Sequence, residues 1–135
     1  MKIPFTTVVG VDLNTLRQLT LSIQTWRKFR PEIFANPMLV FYDYEQLTEA
    51  MLYDVIQHEN CKYVPWGDCA GYDSQREKML SGFVLLPPLY VETEWWVKVD
   101  TDVISQASIE WLDASLMTPD ISFIASNWNY SKPRR

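Results

Sequence analysis

Short apolar, β-branched runs, separated by stretches whose apolar residues recur at helical spacing, leave this chain few folds to choose from. Thr6-Thr7-Val8-Val9-Gly10-Val11 reads as a strand and is followed by Asp12. Leu13, Leu16, Leu19, Ile23 and Trp26 then return every three or four residues, the period of a helix with one buried face. Arg27, Lys28 and Arg30 stand where cations complement a helix C-terminus, and Pro31 stops the helix. Met38-Leu39-Val40-Phe41-Tyr42 repeats the strand pattern and ends at Asp43, after which Leu47, Met51, Leu52 and Val55 mark one face of a second helix. Cys61-Lys62-Tyr63-Val64-Pro65-Trp66 is a weaker strand, and Pro65 assigns it to an edge or an early end because proline has no N–H to give to a ladder.

The pattern continues beyond a polar, glycine-containing loop. Ser74-Gln75-Arg76-Glu77 matches a capping box, with the Ser74 side chain capping a helix and Glu77 reaching back to its amide. Met79, Leu80, Phe83 and Val84 supply the buried face of this third helix, which Pro87-Pro88 closes. Val97-Lys98-Val99-Asp100-Thr101-Asp102-Val103-Ile104 is a buried strand that carries two aspartates to its exit. A helical stretch with Ile109, Trp111, Leu112 and Leu116 follows, then a last strand, Ile121 to Ala125. Strands alternating with helices imply parallel βαβ units. The expected fold is α/β, a Rossmann-like, mostly parallel sheet with helices on both faces, forming a single domain over residues 1–135. A hydrophobic fraction of 47% and an aromatic fraction of 14% agree with a chain that folds.

In an open α/β sheet, ligands bind beyond the carboxyl ends of the strands, and Asp12, Asp43, Asp100 and Asp102 all stand at such ends. Carboxylate oxygens suit hard cations such as Mg²⁺ or Mn²⁺, which bind proteins through few ligands and phosphates well. The D-x-D pattern is therefore read either as a metal–diphosphate site or as a turn with aspartate at two tolerant positions. Helices that follow strands begin at the same rim, so the amides of the helix capped by Ser74 point there too.

Arg76 and Lys78 lie in the first turn of that helix, against its macrodipole, and a bound diphosphate would offset the cost. The alternative is an Arg76–Asp73 pair with Lys78 solvated. Helical geometry separates the two cations by roughly 200°, and Arg76 shares the stripe of Leu80 and Phe83, so it is the better phosphate partner. Asn127-Trp128-Asn129-Tyr130 emerges from the last strand. Asn127 and Trp128 are candidates for sugar contact there, or else cap the end of the sheet. Trp26, Trp95 and Trp96 are assigned to the core.

Several classes drop out. Net charge is −5 and Lys and Arg form no long run, which argues against non-specific nucleic-acid binding. Cys61 and Cys69 with a single histidine, His58, make neither a disulfide scaffold nor an ordinary zinc site. No sustained apolar segment reads as a signal peptide or a membrane span, so a soluble, cytoplasmic protein is expected.

Thr7-Val8-Val9-Gly10-Val11-Asp12, Arg76-Glu77-Lys78-Met79 and Trp96-Val97-Lys98-Val99-Asp100-Thr101-Asp102 together resemble nucleotide-diphospho-sugar transferases of the GT-A fold, in an uncharacterised bacterial branch. The resemblance implies that Asp102 ligates Mn²⁺ or Mg²⁺ carrying the donor diphosphate, while Asp100 contacts ribose, sugar or a metal-bound water. It implies that the ends of the first two strands, at Gly10, Asp12 and Asp43, receive base and ribose, and that Arg76 or Lys78 steadies the donor phosphates. The expected partners are a nucleotide-diphosphate sugar and an acceptor the residues do not identify. The same resemblance implies that the acceptor half, with its catalytic base, is missing after Arg135, so donor binding without efficient transfer is expected. Two other readings stand beside it. One is a nucleotide- or protein-binding module of the same fold without catalysis. The other is a haloacid-dehalogenase-like phosphatase using the first aspartate as nucleophile, for which only Lys132, Asp113 and Asp120 offer the further groups required.

Overall fold

Valine, threonine and aromatic residues crowd β1 (Phe5–Val11) and β2 (Met38–Tyr42), and every residue of both strands is buried. Residues this branched lose little by being extended, and burial on both faces demands an inner, parallel position. The structure, a computed structural model, describes residues 3–57, 59–66 and 85–104. Within them a four-stranded sheet has the order β3-β2-β1-β4, with β3 at Cys61–Pro65 and β4 at Trp95–Lys98. All three pairings are parallel: Val8 lies opposite Leu39 and Lys98, and Val40 opposite Tyr63. Pro65 ends β3, which among the described residues lies outermost beside β2, in agreement with the edge or early end its proline predicts.

The sheet has two apolar faces, as alternation along its strands requires. Val9, Val11, Met38, Val40 and Tyr42 face α1 (Leu16–Phe29) and α2 (Glu49–Ile56), and Leu19, Ile23, Trp26, Leu52 and Ile56 close that core. Val8, Leu39, Phe41 and Val64 point the other way, with Trp66, Leu86, Val91 and Trp96 against them. There the short α3 (Pro87–Tyr90) sets the edge of the Tyr90 ring against Phe41, centroids 6.0 Å apart. Arg27, in the last turn of α1, ties the two helices together. It pairs with Glu59 at 2.7 Å and donates to the Ile56 and Gln57 carbonyls, satisfying the C-terminus of α2.

Four expectations change. β4 begins at Trp95, as the tryptophan pair at its start predicts, but ends at Lys98 rather than running on to Ile104, because the chain turns at Asp100, where the Val103 amide donates to the Asp100 carbonyl, and Val103 and Ile104 stand exposed. Trp95 and Trp96, assigned to the core, are half-buried, on a strand that pairs on one side only among the described residues, while Trp26 is fully buried. Leu13 and Met51 are exposed: α1 starts only at Leu16, and the inner stripe of α2 is Leu52 and Ile56, with Leu47 buried just before the helix. Pro87 opens α3 at its first position, where a missing N–H costs nothing, instead of only ending a preceding helix. The capping box at Ser74, the third helix, the stretch at 109–116, the last strand and His58 lie outside the described residues.

Candidate functional site

The order β3-β2-β1-β4 places the first-built strands on one side of β1 and β4 on the other, so the sheet changes direction between β1 and β4. Crevices form at such a switch because the connections leave in opposite directions. A cleft of about 370 Å³ lies there, lined at its β1 side by Gly10 and Asp12 and at its β4 side by Lys98, Asp100, Thr101 and Asp102. Thr15 and Gln18 of the α1 start and the buried Trp66 complete the wall. This size falls within the ~300–1,000 Å³ of small-molecule sites. Gly10 shares its strand face with Val8, and its lack of a side chain leaves the backbone open to the cleft.

The strand-end aspartates differ in what holds them. Asp12 is buried, and its Oδ1 accepts from the Thr15 amide at 2.9 Å and the Thr15 hydroxyl at 3.0 Å, while its own amide donates to Thr15 Oγ1 at 2.9 Å. This reciprocal arrangement fixes the turn into α1. Asp43 is buried too. Its Oδ1 accepts from the Glu45 amide at 3.0 Å and its carbonyl from Gln46 and Leu47, and it is not among the residues lining the cleft.

Asp100 and Asp102 are exposed, on a turn whose middle is fastened from below. Ser22 Oγ donates to the Thr101 carbonyl at 2.5 Å, the Thr101 hydroxyl to Gln18 Oε1 at 3.0 Å, and Trp26 Nε1 to the Val103 carbonyl at 2.8 Å. Gln18, Ser22 and Trp26 are four residues apart and so form one stripe of α1. Thr101 is buried between two exposed aspartates, so the turn presents both carboxylates outward on a fixed backbone. Sequence reasoning missed Gln18 and Ser22. The available signal was a serine set in the apolar stripe of Leu19, Ile23 and Trp26, where a hydroxyl needs a buried partner.

Lys98 was also missed. Its Nζ lies 3.0 Å from Asp100 Oδ1, with both side chains substantially exposed, at 40% and 61%. The cleft thus holds three carboxylates against one ammonium among the described residues. Such a surface binds a diphosphate better when a cation comes with it. Among the described residues no group of three His, Cys, Asp or Glu side chains can hold a metal unaided. Asp100 and Asp102 offer hard oxygens at a dry-backed, open-fronted position, which fits a Mg²⁺-type ion that takes one or two carboxylates and completes its shell with water and phosphate. Arg76, Lys78, Asn127 and Trp128 lie outside the described residues. No helix among the described residues is long and apolar enough to cross a membrane.

No family model matches the chain, and no curated protein or solved structure is significantly similar to it.

Proposed function

We propose that this chain is the donor-binding part of a metal-dependent glycosyltransferase of the GT-A type, taking a nucleoside-diphosphate sugar and passing its sugar to an acceptor. The observation that carries the reading is that the D-x-D turn and the Gly10–Asp12 end of β1 line one cleft at the carboxyl edge of a parallel sheet. In it, Asp102 is the direct metal ligand and Asp100 contacts ribose, sugar or a metal-bound water. Gly10 lets the donor approach the backbone closely, and Asp12 shapes the wall beside it while holding α1 in place. Arg76, ahead of Lys78, steadies the diphosphate. Mn²⁺ or Mg²⁺ would stabilise the charge that develops on the departing diphosphate. The stripe of α1 beneath the turn keeps both carboxylates aimed before any ligand arrives, so little ordering is left for binding.

The test is calorimetric titration of uridine and guanosine diphosphates with Mn²⁺, and again with chelator, on the wild-type chain and on Asp102→Asn. Metal-dependent binding by the wild type that disappears in an Asp102→Asn protein with an unchanged melting curve supports the reading. Metal-dependent affinity that survives Asp102→Asn, or no binding by the wild type, overturns it.

A further inference from the structure

The register of β4 decides where the cleft's one described cation sits. Lys98 pairs with Val8, two residues before Gly10, so its side chain rises on the same face of the sheet as the bare Gly10 backbone and next to the cleft floor. Its ammonium folds toward the turn and meets Asp100 at 3.0 Å, inside the cleft that both residues line. A pair this exposed contributes little to the fold, so exchanging this contact for another costs little.

We propose that Lys98 is the cleft's own phosphate-binding cation, and that its ammonium and the water shell of a divalent metal are alternative partners of the Asp100 carboxylate. This rests on the reading of the cleft as a diphosphate site. Without ligand, Lys98 neutralises Asp100 and lowers the local negative charge. When a diphosphate and its hydrated cation enter, a metal-bound water takes the Asp100 carboxylate and the lysine turns to a phosphate oxygen. Its four-carbon stem and three rotatable donors suit that exchange, which a rigid guanidinium would make less readily. The consequence is a pair of opposite effects from one substitution. Removing the ammonium takes away a donor to phosphate, and it also takes away a competing positive charge that at ~4 Å repels an incoming cation by about 1 kcal/mol in water.

The experiment uses the full chain and two probes, inorganic pyrophosphate with chelator and Mn²⁺ alone, titrated against wild type, Lys98→Met and Lys98→Arg. Lys98→Met keeps the apolar stem, so thermal melting is expected to stay at the wild-type value. The expected result is that Lys98→Met binds metal-free pyrophosphate about five- to tenfold more weakly, the scale of one partly exposed charged hydrogen bond, and binds Mn²⁺ about three- to fivefold more tightly. Lys98→Arg retains most of the pyrophosphate affinity. Affinities that both fall, or that both stay at wild-type values, overturn the proposal. A wild type that binds pyrophosphate only with Mn²⁺, with Lys98→Met indistinguishable from it, overturns this inference and leaves the metal–diphosphate reading standing. A wild type that binds neither probe, together or apart, overturns both.

Discussion

The aspartates after β1 and β2 and those after β4 occupy equivalent places in the topology and have opposite fates. Asp12 and Asp43 are buried, and each gives its carboxylate to backbone amides of the turn that follows. Asp100 and Asp102 are exposed, because the turn that carries them is fastened by other groups: Ser22 and Trp26 take its carbonyls, and Gln18 takes the Thr101 hydroxyl. A carboxylate at a strand end is available for a ligand only where something else has taken over the task of fixing the backbone. At β4 that task is done by α1. The long-range contacts between residues 18–26 and 101–103 thus convert a turn-forming motif into a presented pair of oxygens.

The largest expected effect tests the structural half of that contrast. Asp12→Ala removes an acceptor from both the amide and the hydroxyl of Thr15, and is expected to lower stability by about 2–3 kcal/mol, the cost of losing partly buried hydrogen bonds to a charged group. Asp43→Ala should behave alike at its own turn. Asp100→Asn and Asp102→Asn are expected to stay within about 0.5 kcal/mol of wild type, since exposed carboxylates with at most a surface ion pair contribute little. Urea denaturation of all four variants makes the comparison, and equal losses at β1 and β4 would break it.

A smaller effect tests the other half. Ser22→Ala leaves the buried Thr101 carbonyl without its donor, an expected loss of about 1–2 kcal/mol. The loss should be local. Hydrogen exchange is expected to quicken at the Val103 amide, which closes the turn onto Asp100, and to be unchanged relative to global stability at the Val99 amide, which belongs to the ladder with Val8. Uniform acceleration through the sheet would show that α1 supports the fold as a whole and not the turn in particular.

Much of the sheet is legible in the chain because its inner strands are buried on both faces. Such strands read as near-continuous runs of β-branched, aliphatic and aromatic residues, and β1 and β2 sit where those runs lie. Pro65 marks the outer strand for a similarly direct reason, the loss of one ladder donor. The extent of β4 is not legible, because Val103 and Ile104 continue the apolar run that Trp95–Lys98 begins, and only the tertiary bonds from Ser22 and Trp26 show that the backbone has already turned. The candidate site is legible in its poles, Gly10 and Asp100 to Asp102, and illegible in its support. Nothing local distinguishes Asp12, whose carboxylate fixes the turn before α1, from Asp102, which stands exposed. Gln18 and Ser22 meet Thr101 across about eighty residues of sequence. Lys98 was hidden for another reason: a lysine between two valines reads as the polar side of an alternating strand, and only the parallel register with Val8 shows which side faces the cleft.

The smallest effect lies at the opposite end of the sheet, where ionisable groups are part of the fold and not presented by it. Burial, with repulsion from Glu59 against a weaker pull from Arg27, pushes the Cys61 thiol up to about 12. Burial likewise raises Tyr63 to about 12 and Tyr42 above its ordinary range. Each folded-state value lies above its unfolded one, so the neutral forms stabilise the native chain fully below the unfolded values, and that contribution is lost as pH climbs toward the folded values. The window opens near pH 9, where the unfolded thiol ionises first, and extends toward pH 12. At pH 7 the effect is nil, and at pH 9.5 the thiol accounts for under about 1 kcal/mol. Urea midpoints at pH 7, 9 and 10.5 are expected to fall in wild type and to fall less steeply in Cys61→Ala, with the two curves parallel below pH 8. Asp100→Asn should leave the alkaline slope untouched, because Asp100 stands on the turn after β4, across the sheet from β3. A slope that follows Asp100→Asn and ignores Cys61→Ala would reverse the assignment of which end of the sheet keeps its titratable groups as structure and which holds them out for a ligand.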